Sequence, residues 1–173
     1  MTGRSVPTAL LCALALLAGA CGTAGGSLPP AAPCPTPTPV ASTGRSAVQR
    51  YFTAVREADR DLRAPTDQFL ARWPSRKFSR KQEFREELAA AADTARCVAE
   101  RWRDLQPPDE RFTAYDEAVD IVLEGYIADM ADGHEAAETR NVSKFRDWLA
   151  AVDRLPGALE ATLPSIPAGS PQR

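Results

Sequence analysis

SRKQEFREELAAAADTARCVAERWRDL, residues 79–105, carries apolar side chains at Phe84, Leu88, Ala91, Ala95, Val98, Trp102 and Leu105. The intervals alternate four and three, the spacing of one stripe on an α-helix and not the period of two of a strand. Such a stripe is the seam by which a helix packs into a bundle. Ser79 and Gln82 have the spacing of a capping box, so the helix is expected to open there, and Pro107-Pro108 turn the chain at its end. Cys97 lies beside the seam, at its edge.

Outward from this helix the same period recurs three times. Upstream, Ser46 and Gln49 make another capping box, and Val48, Tyr51, Phe52, Val55, Ala58 and Leu62 share a stripe. Pro65 is expected to stop or kink this helix, since it removes a backbone donor and crowds the preceding turn. Phe69, Leu70 and Trp73 then continue the stripe in a short piece ended by Pro74. Downstream, Pro108, Asp109 and Glu110 suit a helix start, and Phe112, Tyr115, Val119, Val122, Tyr126 and Met130 form a third stripe, widened by Leu123 and Ile127. Gly133 is either the cap of that helix or a weak point inside a longer one. Asn141 is expected to cap a fourth helix with Phe145, Trp148, Leu149, Val152, Leu159 and Leu163 facing inward and a kink from Pro156 near Val152.

Four amphipathic segments joined by short turns predict an all-α protein, an up-and-down four-helix bundle over residues 46–163. Leu88, Val98, Trp102, Val122, Tyr126 and Trp148 are its expected core. The tail, 164–173, contains three prolines and is expected to be disordered.

The whole chain has 173 residues, 44% of them hydrophobic and 25% charged. These figures suit one globular domain and exclude a collagen-like, fully disordered or polytopic membrane protein. Its 21 Lys and Arg against 23 Asp and Glu leave no general basic excess to hold a nucleic-acid backbone, so no nucleic-acid partner is expected.

Residues 1–20 hold one charged side chain, Arg4, ahead of an apolar run from Ala9 to Ala20. A helix needs roughly 20 apolar residues to span a bilayer, so the run fits the core of a signal peptide better. It closes in Leu17-Ala18-Gly19-Ala20-Cys21, small residues followed at once by a cysteine. This arrangement resembles the lipobox of bacterial prolipoproteins, with Ala18 where the family usually has Leu. The resemblance implies a signal peptide over 1–20, transfer of diacylglyceryl to the Cys21 sulfur, and cleavage after Ala20. Two acyl chains on Cys21 would then anchor the mature protein on the extracytoplasmic face of the cell membrane, where a single chain holds only marginally. Arg outnumbers Lys 18 to 3 and Ala is abundant, a composition that resembles proteins of high-GC bacteria, among which small helical-bundle lipoproteins of this layout are common.

Between Cys21 and the bundle, residues 22–45 hold 16 Gly, Pro, Ser and Thr among 24 residues, too polar and broken to bury a core. Pro33, Pro35, Pro37 and Pro39 favour polyproline II, so this linker reads as a semi-rigid spacer, with Thr36 and Thr38 as candidate O-glycosylation positions. Of four cysteines, Cys12 leaves with the signal and Cys21 takes the lipid. Cys34 and Cys97 remain, and outside the cytosol such a pair reads as a disulfide. The other reading makes Cys97 a small core residue and Cys34 a free thiol.

No catalytic motif stands in the chain. The single histidine, His134, allows no His-x-x-x-His pair, and Cys-x-x-Cys, a Gly-rich phosphate loop and Gly-x-Ser-x-Gly are all absent. No enzyme activity and no cofactor are therefore expected. Two charge patterns remain. Residues 109–138 hold ten acids against Arg111 alone, whereas Arg72, Arg76, Lys77, Arg80 and Lys81 form a basic cluster with no acid between them. Both patterns suit solvated helix faces of opposite sign. The basic cluster is also a candidate contact for anionic headgroups or envelope polymers, and His134 with Asp132, Glu135 and Glu138 a candidate weak cation site. The sequence thus points to an envelope lipoprotein serving as a non-enzymatic interaction or accessory module, with another envelope protein or an anionic polymer as partner. The alternative is a small-molecule or cation-binding lipoprotein that uses the acidic third helix or a pocket between helices.

Overall fold

Ser46 opens the first helix with the capping box its sequence predicts. Its Oγ accepts the Gln49 backbone N–H at 3.2 Å, and Gln49 Oε1 accepts the Ser46 N–H at 3.1 Å. The computed structural model describes residues 46–166 together with Leu28 and Cys34. Among them run α1 (Ala47–Arg72), α2 (Gln82–Arg103), α3 (Thr113–Thr139) and α4 (Val142–Glu160), with 3-10 turns at Glu110–Phe112 and Leu163–Ser165 and no strand. The chain is an all-α four-helix bundle.

α1 does not stop at Pro65 but continues to Arg72. Leu62, Thr66 and Phe69 lie on one face and are all buried, and the Thr66 hydroxyl donates to the Arg63 carbonyl at 2.9 Å. A proline inside a helix costs about 3 kcal/mol, and burying two large apolar side chains at about 1.5–3 kcal/mol each offsets it. α2 begins at Gln82 with Lys81 at its N-cap, two residues later than a capping box on Ser79 predicts. Ser79 Oγ takes the Lys81 N–H at 3.3 Å, while the Gln82 amide donates along the helix to Glu86 at 2.8 Å. The cause is Phe78, whose ring packs edge-on against Phe84 and Phe145 at 5.5 and 5.6 Å and holds the segment before α2 outside the helix.

The seam of α2 is buried from Phe84 through Trp102, with Leu105 half-buried against it. Trp102→Ala is expected to destabilise the fold by about 3–5 kcal/mol. An unchanged midpoint in chemical denaturation would refute this seam. In α3 the structure corrects one expected core residue: Leu123 is fully buried, whereas Val122 packs half-buried at the rim. α4 buries Phe145, Trp148, Ala151, Leu155 and Leu159, with Leu149 and Val152 at its edge.

Successive helices pair, α1 with α2, α2 with α3 and α3 with α4, as an up-and-down course requires. α1 and α4 meet where the rings of Phe69 and Trp148 cross at 5.4 Å. Gly133 lies inside α3 and caps nothing. A Cβ there would stand 2.7 Å from Trp148 Nε1 and 2.9 Å from its Cγ, so the bare backbone is what lets the indole in. Arg140 ends α3 in the left-handed region at φ 60°, and Asn141 Oδ1 then accepts the backbone N–H groups of Ser143 and Lys144, at 2.9 and 3.3 Å. The last turn of α3 has no basic residue of its own. Arg85, buried in α2, reaches across and donates from Nη1 to the Ala137 carbonyl at 3.2 Å, setting a cation at the negative end of the α3 dipole.

The C-terminal tail starts later than Pro164. Residues 163–165 form a 3-10 turn, and Ile166 packs half-buried against the core. Residues 167–173 lie outside the described residues.

Candidate functional site

Sequence reasoning singled out a lipidation cysteine, two further cysteines, a basic cluster and an acidic helix. Cys21 and residues 1–20 lie outside the described residues. No described helix is long and apolar enough to cross a membrane. Cys34 and Cys97 are joined as a disulfide with Cα atoms 5.8 Å apart, inside the usual range for such a bond. Cys97 is half-buried on α2 and Cys34 exposed. Leu28, six positions before Cys34, packs half-buried against the bundle core.

The basic cluster is not one unneutralised patch, because the fold brings acids to two of its members. Arg72 pairs with Glu83 and, at 2.9 Å, with Glu87, and Arg76 meets Asp153 of α4 at 2.5 Å. Lys77, Arg80 and Lys81 are exposed and have no ionic partner among the described residues. Trp73, counted with the cluster for its ring, donates from Nε1 to Glu87 at 2.8 Å and packs on Phe84. It belongs to the core edge.

The acidic helix is likewise shared out. Lys144 sits between Asp132 and Glu135, 2.7 Å from each, and those two carboxylates hold its pKa above the usual lysine value. Arg154 meets Asp129 at 3.3 Å. Asp116 accepts the Tyr51 hydroxyl at 2.8 Å. Burial, reinforced by Asp116, raises the carboxyl of Asp120 above its ordinary value, and burial does the same for Asp129.

His134 does not join Asp132, Glu135 and Glu138 in a cation site. Its Nδ1 lies 3.0 Å from Oδ2 of Asp93 on α2, while Asp132 and Glu135 turn to Lys144. Among the described residues no group of three or more His, Cys, Asp and Glu side chains is arranged to hold a metal ion. The Asp93–His134 pair was invisible to sequence reasoning. Asp93 lies nine residues from Trp102, half a rotation around the helix from the seam, where the pattern predicts solvent, yet it is buried, with Arg96 at 3.5 Å as a further neighbour. Chemically the pair ties α2 to α3 and presents no nucleophile.

Comparison of the chain with protein-family models, with curated proteins and with solved structures returns no match.

Proposed function

We propose that this chain is a lipid-anchored envelope protein, held through diacylglyceryl on Cys21 at the extracytoplasmic face of the cell membrane. Its helical bundle serves as a non-enzymatic interaction or accessory module. The observation that carries this reading is the lipobox sequence Leu17-Ala18-Gly19-Ala20-Cys21 followed by a proline-rich linker. Two features of the bundle support it. A disulfide between Cys34 and Cys97 suits an oxidising compartment outside the cytosol. The buried Asp93, its neighbour His134 and Lys144 are engaged in ties between helices, an arrangement that serves rigidity.

Cys21→Ala is expected to abolish membrane retention, because residues 46–166 contain no helix able to span a bilayer. Fractionation of cells expressing the variant and the wild type measures this. Wild-type protein recovered in the soluble fraction without detergent would overturn the proposal.

A further inference from the structure

We infer that the Cys34–Cys97 disulfide converts the linker into a short leash, which holds the bundle close to the lipid surface. The inference rests on lipidation of Cys21. Its own evidence is that, among the described residues, the chain upstream of α1 touches the bundle at Leu28 in the core edge and at Cys34 on Cys97. Had the linker run free to α1, 24 residues would separate Cys21 from Ser46. At no more than about 3.6 Å per residue, that reach is about 90 Å. With Leu28 docked, only residues 22–27 separate it from Cys21, and the same limit gives about 25 Å from Cys21 to Leu28. Helices are about 10 Å across, so a bundle two layers thick measures about 20 Å. The leash therefore lifts the bundle by little more than its own thickness.

The disulfide is what holds the leash short. A single half-buried leucine recovers less free energy than ordering the backbone of several residues costs, so Leu28 stays docked because Cys34 is tied six residues on. Charge is not the cause. Arg96 and Glu100, on either side of Cys97 on α2, give the surface around the bond mixed sign. Closeness to the bilayer should then be insensitive to salt, whereas attraction of Lys77, Arg80 and Lys81 to anionic lipid would be screened.

The test uses the full acylated protein reconstituted in lipid vesicles that carry a dansyl headgroup acceptor, with energy transfer read from Trp73, Trp102 and Trp148. Wild type should transfer strongly, equally with and without anionic lipid and at low and high salt. Cys34→Ser/Cys97→Ser should transfer several-fold less while keeping its helical circular dichroism. Inserting twelve Gly and Ser residues between Gly26 and Ser27 leaves the bond and the bundle untouched, and should lower transfer as well. Equal transfer by wild type and the insertion variant overturns the leash, and so does transfer that salt abolishes. Protein that fails to float with the vesicles overturns the anchoring itself, a result distinct from either of these.

Discussion

Gly133→Ala is expected to destabilise the bundle by about 1–3 kcal/mol, although the same change at an open helical site stabilises by up to about 1 kcal/mol. The reversal follows from Trp148. The new methyl would stand within 3 Å of the indole, which is fully buried, stacked on Phe145 at 5.8 Å and crossed by Phe69 at 5.4 Å, so it has no free direction to yield. Gly125 supplies the control on the same helix. Nothing lies within 4 Å of a Cβ there, and Gly125→Ala should raise stability by about 0.5–1 kcal/mol. Denaturation midpoints of the two variants should move in opposite directions. If both rise, the contact between α3 and the Trp148 ring is wrong. Trp148→Ala, which removes the ring atoms that the methyl meets, should leave Gly133→Ala with little further cost in the double variant, and a purely additive double variant would count against the contact.

A second large effect is expected in alkali. All three tyrosines of the chain hold their protons above the ordinary phenol value of about 10: Tyr51 through burial and its bond to Asp116, Tyr126 through burial, and Tyr115 through burial and Asp59, pushed up to about 12. Raised phenol pKa values favour the neutral form in the folded state. Below pH 10 both states are protonated and stability is complete. Above it the unfolded chain releases protons that the folded chain keeps, so stability falls as pH rises. Each phenol adds at most about 1.4 kcal/mol per pH unit, reduced by solvent screening and, for Tyr115, by its own ionisation near pH 12, so the three together steepen the fall by a few kcal/mol per unit at most. Lys144 acts in the same direction, because its raised pKa contributes stability that is present below the ordinary lysine value and lost as pH climbs through the folded one. Urea midpoints at pH 8, 10 and 11, with tyrosinate absorbance followed in parallel, measure the effect. A midpoint constant from pH 9 to 11, or tyrosinate appearing near pH 10 in folded protein, would show that the hydroxyls are open to solvent.

The helices were legible where burial and local pattern agree. The α2 stripe, the Ser46 capping box and the Asn141 cap all depend on neighbours within four residues, and a sequence displays those directly. Pro65 and Ser79 misled for one reason. Each carries a strong local signal that is overruled by contacts made elsewhere, Leu62 and Phe69 in the first case and Phe78 on Phe145 in the second. The charge patterns show the same limit more sharply. Arg76 finds Asp153 at a distance of 77 residues along the chain, and His134 finds Asp93 at 41, so the partial neutralisation of the basic cluster and the dispersal of the cation site are products of the fold. Leu28 gave no warning because a lone leucine in a Gly- and Pro-rich stretch forms no periodic stripe from which docking can be read.

Placing the cross-link between Cys34 and Cys97 also decides how the molecule carries mechanical load. A pull applied upstream of Cys34 and resisted at the C-terminal end travels through the two sulfurs into α2 at Cys97. Residues 35–96, all of α1 among them, form a closed loop outside that line of force. Tension therefore strips α4 and α3 away from α2 while α1 remains slack. Its packing against the first half of α2 is shielded from any load applied along that line.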